Sequence, residues 1–164
     1  HHLQLAIAQE LQGVPAFRRH GNVTVYIEGW GLYTERLADE MGLYSGDLER
    51  MGILSFDSWR AGRLVVDTGL HALGWSRQKA IDYFVENSPQ AVNNIVNEVD
   101  RYIGYIGQAL AYKMGQRELF RLRSEAKKTM GPRFDIKGCH DTVLESGPVP
   151  LGLLGDLVRE WAAG

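Results

Sequence analysis

Helix-spaced apolar segments separated by glycine and proline constrain the fold of this chain more than any other feature. Leu3, Ile7 and Leu11 lie at i, i+4 and i+8, and similar spacing recurs over most of the 164 residues. This spacing is typical of amphipathic helices, whereas half-buried strands alternate apolar and polar residues. Only the run 23–27 resembles a short strand, and it merges into a helical pattern. The sequence therefore predicts an all-α protein, a multi-helix bundle.

Residues that commonly begin or end helices separate the predicted segments. Ser76 is an expected N-cap, Pro89 an expected first helical residue and Gly42 an expected C-cap. Residues 16–24 are predicted to form an irregular polar loop. The predicted helical segments are 3–11, 25–41, 47–73, 77–86, 89–103, 108–130, 141–145 and 151–162.

Length, charge and cysteine content limit the class of protein. The length predicts a single helical domain over residues 1–164. The formal net charge is -2, so no nucleic-acid partner is expected. No run of about 18 apolar residues is present, so no membrane span is expected. Because Cys139 is the one cysteine, the chain cannot form an internal disulfide bond. The cysteine content does not decide between the bacterial cytoplasm and export as the compartment of the protein.

Glu28 and Glu35 are the first candidate functional residues. They are seven residues apart, so a helix places both on one face, in a segment rich in aromatic residues. A carboxylate in such surroundings is costly unless it is paired or bound to a metal ion. A solvated helix face with ordinary ion pairs is the alternative. Gly29 and Gly31 in the same segment indicate a close approach of another part of the chain.

A second polar group consists of Arg63, Asp67 and His71, at i, i+4 and i+8. Asp67 is placed to hold the His71 ring or to pair with Arg63. A purely structural role for His71 is the alternative.

Tyr102, Gln108 and Tyr112 form a third group, and the last two share a helix face. A tyrosine hydroxyl can donate a hydrogen bond to a developing oxyanion. Aromatic core residues with a polar tip are the alternative. Three consecutive residues, Cys139, His140 and Asp141, have the wrong geometry for a catalytic set that uses a cysteine nucleophile.

His1 and His2 open the chain, either as the end of a purification tag or as native sequence of a longer protein. Adjacent histidines on a helix point about 100° apart, so they rarely bind one metal ion together. One of them with Glu28 on a following helix would begin a zinc site that has an open position. Such a site needs at least one further protein ligand, for which the sequence offers no obvious candidate.

Seven blocks of the sequence follow one another in a recognisable order: His1–Gln4, Tyr26–Glu35, Asp67–His71, Gly74–Arg77, Glu98–Tyr102, Gly107–Gly115 and His140–Leu144. Together they resemble the C-terminal part of a bacterial family, domain of unknown function 885. That family is predominantly helical and is similar to zinc metallocarboxypeptidases of the His-Glu-x-x-His type. The resemblance implies that this chain is the C-terminal half of a longer protein, a fragment of a larger helical, zincin-like fold.

The resemblance also implies a zinc site. His1 or His2 would be one ligand and Glu28 another, around a single ion. In the family, a His-Glu pair upstream of the two histidines supplies a further ligand and the general base. That pair is missing here, so the site would be incomplete and the chain inactive alone. The same resemblance implies that His1 and His2 are native sequence and not the end of a purification tag.

The remaining implied roles concern catalysis on a peptide substrate. His71 and Tyr112 would stabilise the tetrahedral intermediate, with Tyr102 as a further candidate, and Glu35 would be supporting or structural. The leading hypothesis is therefore that this chain is the C-terminal fragment of a zinc-dependent, metallopeptidase-like hydrolase. The alternative is a non-enzymatic helical module that binds a partner or forms a homo-oligomer through surface that truncation exposes.

Overall fold

A computed structural model describes all residues, 1–164, and its only regular secondary structure is helical, which confirms the all-α prediction. The nine α-helices are α1 (His2–Glu10), α2 (Ala16–His20), α3 (Thr24–Glu40), α4 (Asp47–Ala72), α5 (Arg77–Asn87), α6 (Val92–Gly104), α7 (Ala111–Met130), α8 (Ile136–Leu144) and α9 (Leu151–Ala163). Short 3-10 helices over Gln108–Leu110 and Gly131–Arg133 flank α7. None of the helices combines the length and the apolar character that crossing a membrane requires.

The predicted caps of two helices are confirmed. The Ser76 hydroxyl oxygen accepts a hydrogen bond from the Lys79 backbone N–H (3.2 Å) at the start of α5. Gly42 follows α3 with φ +71°, and the Leu43 N–H donates to the Ala38 carbonyl (3.0 Å). A left-handed residue that closes the last turn in this way favours glycine, because glycine has no Cβ.

Three predicted boundaries are wrong. Residues 16–20, predicted as loop, form α2, which the Arg18 guanidinium ties to the Ser146 carbonyl (2.6 Å). Helix α6 begins at Val92, and Pro89 lies in irregular chain before the N-cap Ala91. Helix α8 begins five residues before its predicted start, because the Asp135 carboxylate accepts from two backbone N–H groups of its first turn.

The chain divides into two compact units. Unit 1 consists of His1–Tyr33 and Met114–Gly164, and unit 2 consists of Thr34–Lys113. Unit 2 is therefore continuous in sequence, whereas unit 1 is built from both ends of the chain. The single domain over 1–164 stays a prediction.

In unit 1, α3 and α7 approach closely at two glycines. A Cβ atom on Gly115 would lie 2.6 Å from the Gly29 Cα, far inside van der Waals contact. Beside this crossing, the buried Gln116 amide donates to the Leu32 carbonyl (3.0 Å). The Tyr26 hydroxyl donates to the Val143 carbonyl of α8 (2.7 Å). The close approach expected at Gly29 is confirmed, and it fixes the helix that carries Glu28.

Unit 2 has its own apolar core, formed by residues of α4, α5, α6 and the first 3-10 helix. These residues are Trp59, Val66, Ala80, Ile81, Phe84, Ile95, Val99, Tyr102 and Ala109. Trp59 and Phe84 stack with their ring centroids 4.4 Å apart, and Gly62 leaves room for the Phe84 ring. This core includes one of the candidate catalytic residues, Tyr102.

Candidate functional site

His1 and Glu28 come together in unit 1. His1 is the N-cap residue of α1, and Glu28 lies in the second turn of α3. The His1 Nε2 is 3.3 Å from the Glu28 Oε2. The His1 side chain is half exposed and that of Glu28 is mostly buried, so the pair opens to solvent on the histidine side. A partly buried carboxylate beside an accessible imidazole is suited to holding a cation.

His2 lies on the first turn of α1 and is exposed. Consecutive residues of a helix point about 100° apart, and the contact with Glu28 is made by His1. The geometry therefore favours His1 over His2 as the partner of Glu28.

Gly31 makes room for the imidazole of His1. A Cβ atom at this position would lie 2.6 Å from the His1 Cε1 and 2.7 Å from its Nε2. Every other residue type would push the ring away from α3. The close approach predicted at Gly31 is thus made by the histidine that contacts Glu28.

Imidazole nitrogen and carboxylate oxygen are both common zinc ligands. Two ligands that each bind a tetrahedral zinc ion at about 2.0–2.1 Å lie about 3.3 Å apart. The Nε2–Oε2 separation of 3.3 Å fits two corners of such a site. Among residues 1–164, no group of three or more His, Cys, Asp or Glu side chains could hold a metal ion. The pair therefore fits part of a zinc ligand set, and this chain carries no complete set.

In unit 2, the hydroxyl of Tyr102 belongs to a buried ionic network. Tyr102 is fully buried; its hydroxyl accepts from the Arg63 Nε (2.8 Å) and donates to the Glu98 Oε2 (2.9 Å). Arg63 also donates to Glu98, and Arg101 binds both oxygens of that carboxylate (2.9 Å each). Both hydrogen-bonding directions of the Tyr102 hydroxyl are therefore used within the fold.

This network shifts the pKa of both acidic groups. Burial alone would raise the pKa of Glu98, but hydrogen bonds from Arg101 and Tyr102, with the charges of Arg101 and Arg63, lower it to about 2. Burial raises the pKa of Tyr102 well above its usual value. The carboxylate stays ionised and the phenol stays protonated at neutral pH, as a structural network requires.

His71 and Tyr112 lie at the edge of the same network. The His71 Nε2 is 3.0 Å from the Tyr102 carbonyl oxygen near the end of α6. The Tyr112 hydroxyl accepts from the Gln108 amide (3.2 Å), and the Arg63 guanidinium lies 4.6 Å from the centre of its ring. Because the Tyr112 oxygen accepts in this bond, its proton is available to another acceptor.

The polar line Arg63, Asp67 and His71 does not act as one set. Asp67 is buried, and its Oδ2 accepts from the Gly107 backbone N–H (3.2 Å). Arg63 and His71 contact different atoms of α6. The three side chains fix α4 to α6 and to the loop that follows it.

Glu35 lies in unit 2 at the C-terminal part of α3. Its Oε1 is 3.4 Å from the Arg60 Nη2, and the Tyr44 hydroxyl donates to its backbone carbonyl. Partial burial raises the pKa of Glu35, although the Arg60 charge opposes this shift. These contacts are typical of a structural residue, which is one of the two roles predicted for Glu35.

The residues around Cys139 have separate partners. The His140 Nε2 is 2.7 Å from the Tyr33 hydroxyl, and its ring packs edge-on against Trp30. Cys139 is buried, and burial raises the pKa of its thiol. A buried thiol with a raised pKa is a poor nucleophile, in line with the prediction from its sequence neighbours.

The sequence profile of a family described as "Bacterial protein of unknown function (DUF885)" matches residues 1–158. This chain belongs to DUF885. The family membership expected from the seven blocks is thereby confirmed, while a relationship to zinc metallocarboxypeptidases stays a prediction.

Among solved structures, the DUF885 chain is similar to one named "putative lipoprotein from Colwellia psychrerythraea". The two share 41% sequence identity and superpose with a TM-score of 0.97. The match covers 99% of this chain and 28% of the Colwellia chain. The present chain thus spans little more than a quarter of the length of that relative. No curated protein matches it.

Sequence reasoning missed two residues that organise these sites. Gln4 is buried against His1, and Glu98 joins Arg63, Arg101 and Tyr102. Gln4 lies one helical turn after His1, a spacing that predicts contact on one helix face. Glu98 lies one turn before Tyr102, so the same rule could have found it. Their partners on other helices follow only from the fold.

Proposed function

We propose that this DUF885 chain is part of a zinc-dependent hydrolase that acts on peptides, with His1 and Glu28 as two of the zinc ligands. The observation that carries the proposal is the 3.3 Å separation of the His1 Nε2 and the Glu28 Oε2, beside the space that Gly31 leaves. The chain's similarity to a much longer relative supports a ligand set completed by residues outside this chain.

Zinc, when bound, polarises a carbonyl group and lowers the pKa of a bound water to about 7. In this chain, His1 and Glu28 would hold the ion, and the partly buried carboxylate would offset its charge. The general base and the remaining ligand belong to the upstream His-Glu pair that the family resemblance implies. Peptide hydrolysis is therefore proposed for the longer protein and not for this chain alone.

Among the proposed oxyanion donors, Tyr112 has the most suitable surroundings. Its hydroxyl accepts from Gln108 and keeps its own proton to donate, whereas the Tyr102 proton is directed at Glu98. The His71 Nε2 faces a backbone carbonyl and therefore carries a proton, so its Nδ1 could donate to an oxyanion only in the imidazolium form. We therefore propose Tyr112 and His71 as candidate catalytic residues and Tyr102 as a residue that positions Arg63.

Metal content tests this proposal. The chain, and a longer protein that includes the residues preceding His1, are loaded with zinc, dialysed and measured by plasma mass spectrometry. We expect about one zinc per longer chain. Glu28→Gln should abolish retention, because it removes the anionic ligand. The matched variant Glu10→Gln, on an exposed position of α1, should retain zinc. A longer protein that keeps no zinc, or keeps it in Glu28→Gln, would refute the ligand assignment.

A second candidate, the interaction module, is favoured by exposed apolar side chains in unit 2. Between residues 41 and 56, six such side chains are at least half exposed, and Leu48 is 82% exposed. They are Met41, Leu43, Leu48, Met51, Leu54 and Phe56. Soluble monomers rarely expose large contiguous apolar surfaces, so this segment is a candidate for self-association.

Light scattering over a concentration series tests this second candidate. Self-association through the segment predicts a mass that rises with concentration and returns to the monomer value in Leu48→Lys/Met51→Lys. Val92→Lys, which places a charge on an apolar residue of α6 that is 57% exposed, should not change the mass. A monomer at every concentration would count against the interaction module.

We also propose a cellular compartment for the longer protein. The Colwellia relative is named a lipoprotein, which supports export over the cytoplasm for the longer protein.

A further inference from the structure

Gln4 connects the first turn of α1 to α3 through a buried side-chain amide. The residue is 4% exposed. Its Nε2 lies 2.9 Å from the Ile27 carbonyl oxygen and 2.9 Å from the His1 Nδ1. The amide therefore contacts the ring nitrogen of His1 that faces away from Glu28. Gln4 and Gly31 contact the same imidazole from two sides.

The Ile27 carbonyl fixes which way the Gln4 amide points. A carbonyl oxygen only accepts hydrogen bonds, so it must face the NH2 group of the amide and not its oxygen. The same nitrogen has a second hydrogen to donate, and the His1 Nδ1 lies at hydrogen-bonding distance. The backbone of α3 thus orients the amide, and the amide orients the ring with Nε2 toward Glu28.

This arrangement leaves one polar atom without a partner. The Gln4 Oε1 is buried and accepts no hydrogen bond. A buried unsatisfied oxygen destabilises a fold, and an apolar side chain of the same length would avoid that cost. The amide therefore adds less to stability than its burial implies, while both of its donated bonds serve the placement of the His1 ring.

We infer that Gln4 is a positioning residue, which holds the His1 imidazole against Gly31 with its Nε2 directed at Glu28. A ring whose Nδ1 accepts from the amide carries its proton on Nε2 when it is neutral, and that proton is donated to Glu28. The inference therefore concerns the metal-free pair and does not rest on the proposed function: a zinc ion at Nε2 would first have to displace this proton. The placement of the ring itself is a property of the metal-free chain.

Nuclear magnetic resonance of the metal-free chain tests this placement. We expect a strong nuclear Overhauser effect between the His1 Hε1 and the Gly31 Hα, because the ring lies where a Gly31 Cβ would be. We also expect the Gln4 side-chain amide protons to exchange slowly with water. The amide protons of Gln12, an exposed glutamine just beyond α1, should exchange fast and serve as the internal control.

Gln4→Met keeps the side-chain length and removes both hydrogen bonds. We expect it to abolish the His1–Gly31 effect while its thermal unfolding midpoint stays equal to or above that of the unchanged chain. The matched variant Gln12→Met should keep the effect. A purely structural role for Gln4 predicts the reverse, a lower midpoint with the ring in place.

Two results would overturn the inference. One is fast exchange of the Gln4 amide protons in the unchanged chain, which needs no variant to fold. The other is an unaltered His1–Gly31 effect in Gln4→Met. If the expected effects are seen and the longer protein binds no zinc, the proposed function fails and the positioning of His1 by Gln4 stands.

Discussion

At the scale of single residues, Glu98 makes more side-chain hydrogen bonds than any of the residues that the sequence put forward as candidates in unit 2. It accepts from Arg63, Arg101 and Tyr102, and the bond from Arg63 fixes α6 against α4. Removing its charge leaves two guanidinium groups and a phenol short of an acceptor. Groups left unsatisfied in this way are the main cost of such a change.

Glu98→Gln should therefore lower the free energy of unfolding by about 1–3 kcal/mol at pH 7, measured by urea denaturation. Asp100→Asn is the matched control, because Asp100 also lies on α6 and also binds an arginine, Arg77. That pair is exposed, so its loss should cost at most about 1 kcal/mol. Equal losses in the two variants would contradict the role assigned to the buried network.

The same carboxylate predicts a pH dependence. The pKa of Glu98 is lowered to about 2 in the folded chain, from an ordinary value of 4.5. A lowered pKa contributes stability above the unfolded value, and this contribution is lost as the pH falls toward the folded value. The difference in urea midpoint between the unchanged chain and Glu98→Gln should therefore shrink from pH 5 to pH 3. A constant difference over this range would show that Glu98 contributes no such linkage.

At the scale of helices, the crossing of α3 and α7 depends on two missing side chains. Gly29 and Gly115 bring two backbones together, and a Cβ on either would meet backbone atoms of the other helix. Backbone atoms cannot rotate away as a side chain can. The crossing is therefore less tolerant of added volume than an ordinary helix contact.

Gly115→Ala should destabilise the chain by about 1–3 kcal/mol or more, measured by thermal or urea unfolding. Gly52→Ala is the control: Gly52 lies inside α4, and a Cβ there meets nothing within 4 Å. That substitution should stabilise the chain by up to about 1 kcal/mol, because alanine favours the helix. A stable Gly115→Ala chain would mean that the two helices can separate at little cost.

The helices were predictable where the determining signal is local. Ser76 and Gly42 form their caps within one turn, so their roles are visible in the sequence. Helix α2 was not predictable, because Arg18 anchors it to Ser146, far away in the chain. The start of α8 was missed because Asp135 was not recognised as an N-cap, although its contacts are local.

The candidate site was predictable in part, for a similar reason. The spacing of His1 and Glu28 indicates that one helix and one loop separate them, and the resemblance supplied their pairing. The choice of His1 over His2 needed the fold, because it depends on which side of α1 faces α3. The network of Tyr102 also needed the fold, since two helices far apart in sequence, α4 and α6, supply its members.

At the scale of the whole molecule, the core residues of unit 2 all lie within Thr34–Lys113, whereas unit 1 needs both ends of the chain. In a chain shortened to residues 1–113, α3 lacks Gly115, Gln116 and Val143 as partners. We expect hydrogen exchange to show protected amides in the core of unit 2 and fast exchange over residues 1–33. The full chain should protect both. Equal protection of the two regions in the shortened chain would contradict this division.

The order of the two units along the chain has a consequence for synthesis. A ribosome delivers all of Thr34–Lys113 before it delivers the first residue of the segment Met114–Gly164 that completes unit 1. At about 5–20 residues per second, this segment takes on the order of several seconds to emerge. During that interval the face of α3 that carries Gly29 has no partner. The nascent chain is then most open to chaperones and proteases over residues 1–33, beside the histidine and glutamate of the candidate site.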